Sequence, residues 1–202
     1  MSPDDVRAAY ERVQAEVGAD VTIVAATKYV SLEDMAVLAE AEIPVVGENR
    51  AQDLEAKHAK YGGVFRWHFI GHLQSRKAKD VSRICELVHS LDSESAARRL
   101  EAPALVQVNL SGESTKSGID PRDLERFLDL GVEVRGLSTM PPATGDPEDS
   151  RAFFRRLAEL AHAHGLTELS MGTTQDYRVA AEEGATLVRV GSILFRRYDS
   201  RE

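Results

Sequence analysis

A single lysine stands at the end of one of the most apolar segments of the chain. Residues 21–27 are apolar or small, and the first four of them are β-branched, which is typical of a buried strand. Lys28 follows directly, at a position where the core strands of α/β proteins carry their chemistry. A lysine amine can attack an aldehyde carbon and form a Schiff base. A lysine at a strand end can also simply extend its charge into solvent, and Lys28 alone does not decide between the two.

Two segments near the other end of the chain could bind an anion. Ser170-Met-Gly-Thr-Thr belongs to one predicted strand and its exit, and Gly191-Ser192 follows the next strand. Glycines allow backbone N–H groups to approach a phosphate, and a helix that begins after Gly191 would add its positive end. The same residues could equally serve tight turns and helix caps. From spacing alone, a phosphate site and a purely structural role are therefore both open.

Eight predicted strands, separated by helices, would position these residues. The strands are predicted at residues 21–28, 43–47, 65–70, 87–91, 104–110, 132–137, 169–172 and 186–191. Strict alternation indicates a parallel sheet, and eight units favour closure into a (β/α)8 TIM barrel, with a doubly wound open sheet as the alternative. An extra helix, capped by Ser2 and ended by Gly18, is predicted before the first strand. Residues 51–61 are predicted to form a charged surface helix, and residues 1–202 a single barrel domain.

In a closed barrel, the carboxyl ends of all eight strands face one mouth. The first and last strands are neighbours there, so Lys28 would lie beside Gly191-Ser192. A phosphorylated aldehyde that is bound at the second position could react with the lysine at the first. Pyridoxal phosphate is a compound of this kind.

Composition excludes several other classes of protein. The net charge of −8 argues against general binding to nucleic acids or membrane surfaces. One cysteine, Cys85, excludes an internal disulfide, and the histidines lack the spacing of a metal site. No apolar run approaches the ~20 residues of a membrane span, and the acidic N-terminus lacks the features of a signal peptide. We therefore expect a cytoplasmic protein without a metal ion.

Several sequence motifs occur in order along almost the whole chain. They are A-A-T-K (25–28), G-E-N-R-A-Q (47–52), W-H-F-I-G-H-L-Q (67–74), V-N-L-S-G-E-S-T-K-S-G (108–118), G-L-S-T-M-P-P (136–142), L-S-M-G (169–172) and V-R-V-G-S (188–192). Together they resemble the YggS/PROSC family of pyridoxal phosphate homeostasis proteins, single-domain relatives of the alanine racemase N-terminal barrel. The resemblance implies that Lys28 carries pyridoxal 5'-phosphate as a Schiff base at the barrel mouth.

The resemblance also implies roles for further residues. Those that match the phosphate-binding segments are Ser170, Gly172, Gly191 and Ser192. Arg189 matches the arginine that faces the pyridine nitrogen, and the motifs that line the cofactor pocket contain Asn49, His72 and Met140. The chain departs from the family pattern at three places: Thr173-Thr174 replaces the M-S of M-G-M-S, Arg76 replaces an asparagine, and Arg196 replaces a glycine.

Arg189 bears on whether the chain is an enzyme. A guanidinium does not give up its proton, so a pyridine nitrogen beside it stays unprotonated and the ring is a poor electron sink. Alanine racemases also use a tyrosine from another domain as a second base, and no spacing singles out Tyr29 or Tyr177 for this task. We expect a monomeric carrier that manages the intracellular supply of pyridoxal phosphate and passes it to apo-enzymes. The alternatives are a pyridoxal phosphate-dependent amino-acid racemase and a cofactor-free Schiff-base aldolase.

Overall fold

A closed barrel of parallel strands forms the centre of the protein. The structure is a computed structural model that describes residues 1–113 and 116–195. Within these residues, eight strands follow one another around the barrel in chain order, and the last pairs with the first. The predicted TIM barrel is thus confirmed, and the open-sheet alternative is wrong. Arg196, one of the three departures from the family pattern, lies outside the described residues.

The strands are short and lie close to their predicted positions. They are β1 (Thr22–Ala26), β2 (Val45–Glu48), β3 (Arg66–Phe69), β4 (Leu87–Leu91), β5 (Ala104–Gln107), β6 (Val134–Ser138), β7 (Glu168–Thr173) and β8 (Leu187–Val190). In β1, Val24 packs inside the barrel, whereas Ile23 and Ala25 face the surrounding helices. Both faces of this strand are therefore covered, which explains why its sequence does not alternate between apolar and polar residues.

Helices surround the barrel and begin and end at sequence signals. They are α1 (Pro3–Val17), α2 (Met35–Glu40), α3 (Ala51–Tyr61), α4 (Ala78–Ser82), α5 (Glu94–Ala97), α6 (Leu124–Leu128), α7 (Arg151–Ala163), α8 (Tyr177–Glu182) and α9 (Ser192–Phe195). The extra N-terminal helix is α1, where the Ser2 hydroxyl accepts a hydrogen bond from the Asp5 N–H and Gly18 ends the helix with φ of 91°. Its buried face packs against α2, α8 and α9. Nowhere in residues 1–113 or 116–195 is a helix both long and apolar enough to cross a membrane.

Two details differ from the sequence predictions near the barrel mouth. Strand β1 ends at Ala26, so Thr27 and Lys28 lie beyond it in a turn. Helix α3 is not wholly a surface helix, because Lys57 is only 6% exposed. Both differences have one cause, a buried polar cluster at the end of β1 that is described next.

Candidate functional site

Lys28 lies at the carboxyl end of the barrel, two residues beyond β1. Its side chain is exposed, and Nζ lies 4.8 Å from the centre of the Tyr29 ring. The Tyr29 side chain is itself 90% exposed. The amine is therefore open to a ligand that approaches from the mouth.

A buried ion pair anchors the backbone immediately before Lys28. Lys57 Nζ forms an ion pair with Glu48 Oε1 and donates a hydrogen bond to the Thr27 carbonyl oxygen at 2.8 Å. The Thr27 hydroxyl donates to Glu48 Oε1 at 2.7 Å, and Glu48 Oε2 accepts from the Asn49 N–H at 3.2 Å. Glu48 and Thr27 are fully buried. Two opposite charges inside the protein thus fix both the peptide that leads into Lys28 and the start of the loop after β2.

Arg189 extends from β8 into the barrel and is only 8% exposed. Its Nη1 donates to the Ser170 hydroxyl and, at 2.9 Å, to the Ser170 carbonyl oxygen. Its Nη2 donates to the Thr139 carbonyl oxygen at 2.9 Å and to Met140 Sδ at 2.8 Å. All of these partners are neutral. Burial lowers the pKa of Arg189 to about 10, so the guanidinium stays charged at neutral pH.

The loops after β7 and β8 meet beside the end of β1. Thr174 Oγ1 accepts a hydrogen bond from the Gly191 N–H at 3.2 Å. A Cβ atom added to Gly191 would lie 3.3 Å from the Ala26 carbonyl oxygen, so only a glycine leaves this space fully open. Ser192 follows at the exposed start of α9. Thr174, Gly191 and Ser192 therefore lie together beside the strand end that leads into the turn of Lys28, with the Gly191 N–H bonded to Thr174.

The other two residues of the expected phosphate segments have partners inside the protein. Ser170 is fully buried, and its hydroxyl contacts Arg189 on one side and His89 Nδ1, at 2.7 Å, on the other. Gly172 has φ of 89°, and a Cβ atom added there would lie 2.6 Å from the Ala180 Cβ. Ser170 thus belongs to the surroundings of Arg189, and Gly172 allows α8 to pack closely on β7.

A substitution at Gly172 tests this packing. Gly172→Ala is expected to lower the free energy of unfolding by about 1–3 kcal/mol, because it combines an unfavourable positive φ with a clash against α8. Gly184→Ala is the matched control, since Gly184 has a similar φ of 91° but nothing lies within 4 Å of its added Cβ. Urea unfolding of both variants measures the difference. Equal stability of the two variants would contradict the close contact.

The three predicted pocket residues lie in two groups. Asn49 and His72 line one cavity of about 210 Å³ above β2 and β3, together with Arg76. Met140 instead contacts Arg189 and lines a second cavity of about 340 Å³ above β6 and β7. His72 Nδ1 lies 3.9 Å from a carboxylate oxygen of Asp92, whose pKa is raised mainly by burial. The structure thus brings Met140 to the arginine, and Asn49 and His72 to each other.

Several residues of the site were not among the predicted site residues. They are Thr27, Glu48, Lys57, His89 and Thr174. For Thr174 a signal was present, because its hydroxyl stands where the family motif M-G-M-S has its serine. For Glu48 and Lys57 no local signal was present, because their contact joins the end of β2 to the middle of α3. In the part of the chain that the structure describes, no cluster of three or more His, Cys, Asp or Glu could hold a metal ion.

Known proteins resemble the chain in sequence over most of its length. The family model "Alanine racemase, N-terminal domain" matches residues 1–199. A pyridoxal phosphate homeostasis protein from Deinococcus radiodurans is 39% identical, over 96% of this chain and all of that protein. The chain belongs to the family of pyridoxal phosphate homeostasis proteins. Another pyridoxal phosphate homeostasis protein, from Aquifex aeolicus, is 38% identical over 77% of this chain and 78% of its own.

Solved structures extend the comparison to the fold. PipY from Synechococcus elongatus, solved with PLP bound, superposes with a TM-score of 0.84 at 29% identity, and covers 95% of this chain and all of its own. Alanine racemase from Clostridium difficile has a TM-score of 0.77 at 13% identity, with 98% of this chain and 57% of the racemase covered. The similarity to alanine racemase concerns the fold of the barrel alone. The pyridoxal phosphate homeostasis family and the racemase therefore share one architecture.

Proposed function

We propose that this chain binds pyridoxal 5'-phosphate at the barrel mouth, holds it as a Schiff base on Lys28, and helps to maintain its intracellular supply. The observation that carries the proposal is the junction of β1 and β8. It brings an exposed amine, the glycine and hydroxyls that follow β7 and β8, and a buried guanidinium to one end of two paired strands. PipY, which was solved with PLP bound, has the same fold at 29% identity.

Each chemical group of this cofactor has residues in the site that would suit it. Thr174, Gly191 and Ser192 suit a phosphate, which would accept from the two hydroxyls and, in place of Thr174 Oγ1, from the Gly191 N–H. Lys28 supplies the amine for the aldehyde carbon. Arg189 suits the pyridine nitrogen, since its charge faces no hydrogen-bonded carboxylate among the described residues and the nitrogen lone pair is an acceptor. Asn49, His72 and Met140 would line the sides of the pocket, while Ser170 and Gly172 would act through their neighbours.

Arg189 also supports a carrier rather than an efficient enzyme. Bound pyridoxal phosphate supplies a ring that withdraws electrons when its nitrogen is protonated. A guanidinium that remains charged at neutral pH donates to that nitrogen and does not protonate it. The chain would then hold the cofactor and release it to apo-enzymes, with little chemistry of its own.

Uptake of the cofactor tests the proposal directly. The purified protein mixed with pyridoxal 5'-phosphate is expected to show a visible absorption band that borohydride removes, with the reduced adduct found on Lys28 by peptide mass spectrometry. Pyridoxal without its phosphate is the matched control ligand and should bind more weakly, because it offers no phosphate to Thr174, Gly191 and Ser192. A colourless protein that takes up no pyridoxal phosphate would contradict the proposal.

An amino-acid racemase is the second candidate, and the ring contact between Tyr29 and Lys28 is the observation that favours it. Tyr177 is less suited than Tyr29 to act as the second base of a racemase, because its hydroxyl donates to the Glu16 carboxylate on α1 and its pKa is raised mainly by burial. A racemase exchanges the α-proton of an amino acid with solvent deuterium. Absence of exchange across a panel of amino acids would remove this candidate.

A further inference from the structure

Four polar side chains form a hydrogen-bonded chain through the barrel interior, which we call the interior chain. It runs from Arg189 on β8 to Ser170 on β7, then to His89 on β4 and His68 on β3. Arg189 Nη1 donates to Ser170 Oγ, which lies 2.7 Å from His89 Nδ1, and His89 Nε2 lies 2.9 Å from His68 Nδ1. None of the four residues is more than 8% exposed.

The interior chain spans the barrel from one end to the other. Arg189 meets Met140 and Thr139 at the mouth. At the opposite end, His68 lines a cavity of about 210 Å³ between the amino ends of the strands. His68 Nε2 is buried there without a hydrogen-bond partner in the described residues. The two ends of the barrel are thus joined by side chains alone.

Arg189 determines the direction of every bond in the interior chain. A guanidinium only donates, so Ser170 Oγ accepts from it. The Ser170 hydroxyl then donates to His89 Nδ1, which places the proton of neutral His89 on Nε2. That N–H donates to His68 Nδ1, and the His68 proton is likewise on Nε2. Each arrangement leaves one donor without a partner among the described residues, the His68 Nε2–H here and the Ser170 hydroxyl in the reverse one. The first is favoured because His68 lines a cavity that Glu86 and Glu168 also line, whereas Ser170 is enclosed in the barrel.

Both imidazoles are neutral at neutral pH. Burial, as the largest cause, and the charges of Arg66 and Arg135 together lower the pKa of His68 to about 4, with Glu86 acting in the opposite direction. Burial also holds the pKa of His89 well below its usual value, with His68 and Arg189 acting in the same direction. A neutral ring has one donor and one acceptor, as the interior chain requires.

We infer that Ser170, His89 and His68 are positioning residues that hold the Arg189 guanidinium in one orientation at the mouth, with both imidazoles in the Nε2–H form. Where it concerns the cofactor, the inference rests on the proposed function, because the group that Arg189 would face is the pyridine nitrogen. The three residues act on that nitrogen only through Arg189. His68 and His89 therefore have a role at the mouth although they lie in the barrel core.

Nuclear magnetic resonance of the protein without cofactor tests the tautomers. Imidazole ¹⁵N spectra are expected to show Nε2–H rings for His68 and His89, unchanged between about pH 6 and about pH 8. Ser170→Ala removes the donor to His89 Nδ1 and should release that ring into a mixture of tautomers. Ser90→Ala is the matched control, because this neighbouring buried hydroxyl donates to the Gly71 carbonyl oxygen instead. An Nδ1–H ring at either histidine of the unchanged protein would overturn the inference.

A second pair of variants covers the possibility that Ser170→Ala does not fold. His68→Gln keeps an acceptor for the His89 Nε2–H in its amide oxygen, whereas His68→Leu removes it. Both variants are expected to keep the Nε2–H form of His89, because the Ser170 hydroxyl still donates to His89 Nδ1 in each of them. An Nδ1–H His89 ring in either variant would overturn the inference.

The protein loaded with pyridoxal phosphate tests the effect on the cofactor. Ser170→Ala and His68→Leu are expected to shift the visible absorption band in the direction that Arg189→Gln shifts it, with His68→Gln and Ser90→Ala near the unchanged protein. A band that stays in place in both Ser170→Ala and His68→Leu would overturn the positioning role. If the tautomers are as expected but no pyridoxal phosphate binds, the proposed function fails and the interior chain stands.

Discussion

Replacement of Lys28 with alanine is expected to abolish covalent trapping of pyridoxal phosphate and to leave the fold unchanged. The side chain is exposed and contacts the ring of Tyr29, so its removal breaks no buried contact. The free energy of unfolding should change by no more than ~0.5 kcal/mol, as for most surface substitutions. Mass spectrometry after borohydride reduction measures the adduct, and urea unfolding measures the stability.

Lys60→Ala is the matched control for this experiment. Lys60 is also exposed, and its Nζ lies 5.2 Å from the centre of the neighbouring Tyr61 ring, on α3. It therefore repeats the exposed amine and the lysine–tyrosine contact of Lys28 away from the barrel mouth, and its replacement should leave trapping at the original level. An undiminished adduct in Lys28→Ala, or an adduct on another lysine, would contradict the assignment.

Replacement of Lys57 with methionine is expected to destabilise the protein by about 3–5 kcal/mol. The change leaves the Glu48 carboxylate buried and without its cation, and it removes the donor to the Thr27 carbonyl oxygen. Arg7→Met is the control, because the ion pair of Arg7 with Glu11 is exposed and should contribute less than ~1 kcal/mol. Denaturant unfolding of both variants gives the comparison.

The double variant Glu48→Gln, Lys57→Met separates stability from positioning. Removing both charges avoids an unpaired buried ion, so we expect much of the lost stability to return. The Thr27 carbonyl oxygen still lacks its donor, however, so the turn that carries Lys28 is held less firmly. Trapping of pyridoxal phosphate should therefore remain slower than in the unchanged protein. Full recovery of the trapping rate would show that the ion pair stabilises the fold and does not position Lys28.

The barrel was predictable because its signals are local. The β-branched start of β1, the Ser2 cap and the Gly18 stop each act within a few residues, and their regular repetition around the chain indicates eight units. The ends of the strands were predicted less accurately. The predicted first strand continued to Lys28, whereas β1 ends at Ala26 because the following residues turn to meet Glu48 and Lys57.

The residues that hold the site in place were not predictable from the sequence, since they act through contacts between distant segments. Lys57 lies in a helix rich in charged residues, and only the approach of α3 to the end of β2 shows that it is buried. His68, His89 and Ser170 meet because three separate strands direct side chains into one interior, and the pattern of a single strand cannot reveal that meeting. Sequence reasoning thus found the residues proposed to contact a ligand more readily than those that hold them.

The pairing of β1 with β8 has a consequence for how the protein matures. Lys28 is made before Arg189, Gly191 and Ser192, and these two parts of the site come together only when β8 docks against β1. A ligand held by both parts has no complete site on a growing or partly folded chain. Because such a ligand binds only the closed barrel, it favours that state by mass action and its uptake reports that the ring of strands is complete.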